Sequence, residues 1–324
     1  MKQLLILFFT ISFLACKKDV VNTKLQGSVF GTGYSIIYGS DVDFQNDIDS
    51  LFFVINNSMS TYQTNSIISQ LNRNENNKVD NHFIKVFSAS KQIFQQTNGA
   101  FDPTIGVLVN AWDFGPEGKI ENLDSLKIDS LMTSVGFEKV KFFNDKIQKP
   151  KKTFIDFNAI AKGYGVDVIG EFLESKNVNN YLVEIGGEIR VSGLNAEKQS
   201  NWKVGVEMPE FDGSQSILSV ISLKDEAMAT SGTYRKFKID ENGYRYAHII
   251  DAKTGYPSKT NLLSISVIAD NCMIADAYAT AFKAMGIEKV KAFLNNHPEL
   301  KVFLIFENDK NQLETLSLNN FPKS

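Results

Sequence analysis

Residues 181–193 read YLVEIGGEIRVSG. Apolar residues flank Gly186-Gly187, which predicts two strands joined by a tight turn, because glycine reaches backbone angles closed to other residues. Taken alone, Gly-Gly means no more than that turn. The segments that follow in quick succession decide the fold class: WKVGVEM (202–208), SILSVISL (216–223), YRKFKI (234–239) and YRYAHII (244–250) also read as strands. NLLSISVIA (261–269) and a closing KVFLIFE (301–307) add two more. Helices and strands do not strictly alternate. The chain therefore reads as an α+β domain of mixed, largely antiparallel sheets and packed helices, and not as a doubly wound sheet.

Toward the N-terminus, GSVFGTGYSIIYG (27–39) signals a strand pair and the start of the folded part. Phe44, Ile48, Leu51, Phe52 and Ile55 recur at helical spacing behind an acidic first turn. A second helix runs over 81–97 and stops at Asn98-Gly99, with Gly99 a left-handed cap. LDSLKIDSLMTSVG (123–136) predicts a third, CMIADAYATAFKAMG (272–286) another, and EKVKAFLNN (288–296) its continuation. No repeat or low-complexity linker interrupts the chain; DKIQKPKKT (145–153) reads as a hairpin loop, not a domain boundary.

With 324 residues, 22% charged and 43% hydrophobic, the chain is long enough to bury a large core. A net charge of -3 gives no electrostatic reason to expect nucleic acid. MKQLLILFFTISFLAC (1–16) is a secretory leader, too short to span a bilayer comfortably. The small residue before Cys16 gives it two readings: a lipoprotein box that would leave Cys16 lipidated, or a plain cleaved leader. The expected division is a signal peptide at 1–15, a tether at 16–26 and one domain at 27–324. Cys272 is then left without a disulfide partner and reads as a buried, inert thiol.

Several stretches carry candidate chemistry. On the 272–286 helix, Asp276, Thr280 and Lys283 share one face. Either this is a solvent stripe, or Asp276 and Thr280 offer hard oxygens to a cation such as Mg²⁺. In IDFNAIAKGYGVD (155–167), a short strand ending at Asp156 precedes a helix start carrying Lys162, either a surface lysine or a charge for phosphate. GAFDPTIGVLVNAWDFG (99–115) is a rigid loop, in which Asp102 caps backbone amides, or a wall for a flat aromatic ligand. MSTYQTNSIISQLN (59–72) sets Tyr62 on a loop before a short helix. Arg235 of SGTYRKF (231–237) reads as facing solvent. HIIDAKTGYP (248–257) ends an apolar run in His248 just where the chain must turn.

Taken in order, these motifs resemble the set found in the bacterial FAD:protein FMN transferases, the ApbE-type lipoproteins, over roughly residues 28–290. The resemblance implies a single catalytic α+β domain that splits FAD with Mg²⁺, passes FMN to a threonine (or serine) hydroxyl of a target protein as a phosphoester, and releases AMP. It implies targets among the subunits of redox-driven ion pumps and other extracytoplasmic electron-transfer proteins. It also implies a lipid anchor at Cys16 facing the periplasm. Carried over residue by residue, it makes Asp276, Thr280 and the Ala159 carbonyl metal ligands, and Tyr62, Ala100, Phe101, Asp102, Asp156, Lys162 and Ile250 contacts to FAD. His248 becomes the base that deprotonates the incoming threonine. Phe30 stands where the family often has Met, and Ala252 where Pro is common. Two other functions share these motifs: an FAD pyrophosphatase that releases free FMN, and a non-catalytic flavin-binding lipoprotein, against which the retained metal ligands and His248 argue.

Overall fold

A computed structural model describes residues 21–235, 237–239 and 245–323. The leader and Cys16 lie outside the described residues. The first strand, β1 (Thr23–Val29), begins inside the stretch expected as tether. Leu25 and Val29 are buried, and the strand is paired along its length with β2 (Thr32–Tyr38), so the folded body starts at Thr23 and not at Gly27.

Five helices follow: α1 (Gln45–Met59), α2 (Ile67–Asn72), α3 (Asn81–Gln96), α4 (Gly106–Ala111) and α5 (Ser125–Met132). The Asp80 side chain accepts from the Phe83 amide to start α3, and Asn98 and Gly99, both left-handed, end it as the sequence predicted. β3 (Lys141–Phe143) and β4 (Lys146–Gln148) form a hairpin that turns at the left-handed Asn144 and Asp145. The stretch read as a hairpin loop is instead strand β4 followed by a turn closed by the Thr153 amide on the Pro150 carbonyl. Next come α6 (Ala161–Ser175), β5 (Tyr181–Ile185), β6 (Glu188–Ser192), β7 (Trp202–Glu207), β8 (Ile217–Leu223) and β9 (Ala227–Gly232). Then follow β10 (Phe237–Ile239), β11 (Arg245–Ala247), β12 (Leu262–Ala269), α7 (Cys272–Met285), α8 (Ile287–Leu294), β13 (Lys301–Glu307) and β14 (Leu313–Leu318).

The fold departs from the sequence reading at four further points. Gly286, at φ 77, separates α8 from α7, so the helix does not continue. No strand ends at Asp156; Phe154 forms only an isolated bridge with Ile105. The strand expected over 244–250 stops at Ala247. β13 is not the last strand: β14 pairs with it at the sheet edge, and its largely exposed, mixed sequence hid it.

The central sheet has eight strands in the order β1-β2-β5-β6-β9-β12-β13-β14, and each neighbouring pair is antiparallel. Its two faces follow the period-2 rule. Ile36, Val183, Ala229, Val267 and Val302 point toward the helices, while Ile37, Leu182, Met228, Ile268 and Phe303 meet the β7–β8 hairpin on the other face. β12 lies between both layers, and all eight of its residues are buried. This explains why its sequence is almost continuously apolar.

Helices α6 and α7 lie side by side on the sheet and cap each other. The Asp276 carboxylate on α7 accepts the Gly163 amide of the first turn of α6 at 3.0 Å. Asp167 on α6 accepts the Cys272 and Met273 amides of α7 at 2.9 and 2.8 Å, and Arg190 pairs with it from β6. First-turn amides lack partners within their own helix, so each carboxylate satisfies a buried donor of the other. The approach is close. A Cβ on Gly163 would lie 2.7 Å from the Cys272 carbonyl carbon and 2.8 Å from the Asp276 Cβ. Gly163→Ala is therefore expected to lower unfolding free energy by about 1–3 kcal/mol, the usual cost of overpacking. Denaturant unfolding checks this, and an unchanged midpoint would show that the two helices part without cost.

Candidate active site

The facing helix ends open onto a cleft of about 1230 Å³. Ala159, Ala161 and Lys162 contribute from the start of α6, and Asp276, Thr280 and Ala284 from α7. The polar face of α7 is not a solvent stripe. Asp276 is buried, Thr280 is half-buried, and Lys283 is fully buried with its ammonium on the Thr260 hydroxyl at 3.0 Å. Burial alone pulls Lys283 down to about 8.

Charge is concentrated where the cleft meets both helices. Lys162 Nζ lies 2.5 Å from Glu188 Oε1, and Glu188 is 3% exposed. Burial pulls the Lys162 amine down, but Glu188 and Asp276 more than offset it, and the ammonium is held above its usual range. Burial pushes the Glu188 carboxyl up, against the pull of Lys162 and with the Asp276 charge adding to it. Asp276 is likewise raised by burial, against Lys162 and the Gly163 amide. One ammonium thus stands between two competing buried carboxylates.

The Gly-Gly turn brings Glu188 here. Gly186 and Gly187 have φ of 63° and 101°, and Ile185 pairs with Glu188 across a two-residue hairpin. Arg235 stands beside this turn. It does not simply face solvent: it lines the cleft and pairs with Glu207, which also accepts the Tyr234 hydroxyl at 3.3 Å. Glu184, Glu188, Glu207 and Arg235 are charged residues lining the cleft that the sequence reading did not assign to the site. For Glu188 a signal existed, since the hairpin register sets a glutamate opposite Ile185, in phase with the core.

The opposite wall comes from residues 99–114, where the stretch read as a rigid loop in fact carries helix α4. Asp102 is buried and accepts the Thr104 amide and hydroxyl at 2.8 and 2.6 Å and the Phe137 amide at 3.2 Å, as the capping reading predicted. Ala100 and Phe101 line the cleft beside it. Asp156 accepts the Asn158 amide at 2.7 Å, and its own amide donates to Pro103. Tyr62 sits at the mouth, 58% exposed, its hydroxyl donating to the Phe114 carbonyl at 3.4 Å. Burial, then the nearby Asp156 charge, raises the Tyr62 phenol. Phe30, left-handed at φ 50, lines the cleft and packs edge-on against Phe52.

His248 enters from the far side, one residue beyond β11. The turn after it is built on Asp251, whose carbonyl accepts the Thr254 and Gly255 amides and whose carboxylate accepts the Lys253 amide. Ile250, buried, bridges to Pro257. Trp112 pins the turn: its indole donates to the Gly255 carbonyl at 2.9 Å, and its ring contacts Tyr246 and Tyr256. Phe114 meets His248 edge to face, with centroids 6.1 Å apart. The aspartate makes the bend, and the histidine is delivered to the cleft.

All eleven candidate residues within the described chain thus line one cleft: Tyr62, Ala100, Phe101, Asp102, Asp156, Ala159, Lys162, His248, Ile250, Asp276 and Thr280. Among the described residues no three His, Cys, Asp or Glu side chains converge as a metal cluster. The donors present are of another kind. Asp276, Thr280 and Ala159 offer carboxylate, hydroxyl and carbonyl oxygens, and the buried Glu188 Oε2 has no hydrogen-bond partner among the described residues. Such hard oxygens fit Mg²⁺, which completes its shell with water and phosphate.

A family model described as the ApbE family matches residues 30–304. Two relatives named FAD:protein FMN transferase are similar over nearly the whole chain. The one from Haemophilus influenzae is 34% identical over 97% of this chain and 94% of its own, and the one from Vibrio cholerae is 33% identical over 95% of each. The solved flavin transferase ApbE from Vibrio cholerae superposes with a TM-score of 0.82 at 32% identity, covering 92% of this chain and 97% of its own. The apo form of the Pseudomonas stutzeri flavinyl transferase ApbE gives 0.82 at 25% identity over 93% and 96%.

The Trp112–Gly255 bond generates a prediction. Trp112→Phe should lower stability by about 1 kcal/mol, the net worth of one such hydrogen bond, and raise amide exchange across 248–258. Exchange mass spectrometry checks this; unchanged protection would show that the indole does not hold the turn.

Proposed function

The chain belongs to the ApbE family and is a flavin transferase, and from that premise we propose that it cleaves FAD with Mg²⁺ and joins FMN to a threonine or serine of an extracytoplasmic protein. The observation that carries this reading is the convergence on one cleft of an oxygen donor set, a cation and a histidine from segments far apart in sequence. Lys162 and the amide-rich start of α6 receive the diphosphate. Asp276, Thr280 and the Ala159 carbonyl hold the metal, which when bound offsets charge on the phosphate oxygens. Phe101, Tyr62 and Ile250 border the space for the ring systems.

His248 takes the acceptor's hydroxyl proton as that oxygen attacks the FMN-side phosphorus. The new O–P bond forms, the anhydride O–P bond breaks, and AMP leaves with the electron pair. Imidazole suits this work because its ordinary pKa lies near neutrality. Anchoring through lipid on Cys16 belongs to the same proposal. It rests on the leader sequence and the small residue before Cys16.

Mixing the protein with FAD, Mg²⁺ and a threonine-bearing acceptor tests the reading. The expected products are AMP and a fluorescent acceptor band, and AMP with free FMN alone would show a hydrolase instead. His248→Ala should retain FAD binding and lose on the order of 10²–10⁴ in transfer rate. A variant that transfers at the parental rate would remove His248 from the role of base.

A further inference from the structure

Glu188 carries a charge where the hairpin register calls for an apolar side chain. It lies opposite Ile185 on the helix-facing side of β6, is 3% exposed, and spends one oxygen on Lys162 while the other has no hydrogen-bond partner among the described residues. Burying a half-satisfied carboxylate is expensive, so its presence calls for a physical reason. The reason lies in its neighbours. Lys162 lines the same cleft as Asp276, which holds the neighbouring Gly163 amide, and its ammonium feels the charges of both Glu188 and Asp276, so two carboxylates have access to one ammonium.

We propose that Glu188 is a positioning residue that draws the Lys162 ammonium away from Asp276, leaving that carboxylate open to a divalent cation. Without Glu188 the ammonium turns to Asp276 and competes with the cation for it. With Glu188 in place, Lys162 stays at the cleft wall, 31% exposed, where it meets an anion. The idea rests on the reading of Asp276 as a metal ligand. It assigns to the Gly-Gly turn the task of delivering Glu188 behind Lys162.

The test is Mn²⁺ binding to the whole, ligand-free protein, read by loss of the free-ion electron paramagnetic resonance signal. It compares the wild type with Asp276→Ala, Glu188→Gln, Glu188→Asp, Lys162→Met and the Glu188→Gln/Lys162→Met pair. Asp276→Ala should abolish the site, and Glu188→Gln should weaken it about tenfold, as loss of an outer partner does. Glu188→Asp, which keeps the charge, should fall between the wild type and Glu188→Gln. Removing the lysine as well should restore binding to the wild-type level or better, because the competitor is gone. A generally structural role, or direct ligation by Glu188, would leave the double variant as weak as Glu188→Gln. That result, or wild-type binding by Glu188→Gln, overturns the proposal while Asp276 stands as a ligand. Equal binding by the wild type and Asp276→Ala overturns the metal-site reading, and this proposal with it.

Discussion

Two carboxylates exchanged between two helix starts hold this site together. Asp276 closes the first turn of α6, and Asp167 closes the first turn of α7. Each buried acid exists because the other helix brings it an unpaired amide. The pairing also fixes the chemistry. Asp276 cannot leave α6 without exposing a buried donor, so the residue best placed to hold a cation is locked beside Lys162. Gly163 makes this possible by having no side chain at the point of closest approach. Thr280, one turn further along α7, follows Asp276 into the same cleft.

The second half of the site is positioned by different physics. His248 lies beyond the end of a short strand, held by a turn that Asp251 closes and Trp112 fastens from a loop more than a hundred residues earlier. Aromatic contacts from Phe114 and Tyr246 complete this anchor. The helix pair and the hairpin are thus two supports facing across one space, the first rigid through reciprocal capping and the second through aromatic packing. The proposed transfer uses that division, with a diphosphate gripped on one side and an incoming hydroxyl met from the other.

Much of this was legible in the sequence, but by two routes of unequal reach. The order of the motifs carried the family, and with it eleven of the residues that the structure gathers into the cleft. Periodicity carried the helices and most strands, and misjudged what it could not see. Asp276 and Lys283 recur like a solvent stripe, yet both are buried, because a helical period reports that a face is polar and not what lies against it. Glu188 could be found only by combining the turn length with the strand register. β14 escaped because an edge strand with an exposed face has no apolar rhythm to read. The tether boundary slipped because Leu25 and Val29 are spaced four apart in a strand whose other residues are largely exposed.

The central claim is that one cleft collects the diphosphate, its cation and the base. A crystal soaked with FAD and Mn²⁺ measures this directly, because manganese marks its own position by anomalous scattering. The account predicts a peak bonded to Asp276 and Thr280, with the diphosphate on the Lys162 side and the His248 imidazole facing the FMN-side phosphorus. A manganese peak away from α7, or a diphosphate with the histidine turned from it, would contradict the account.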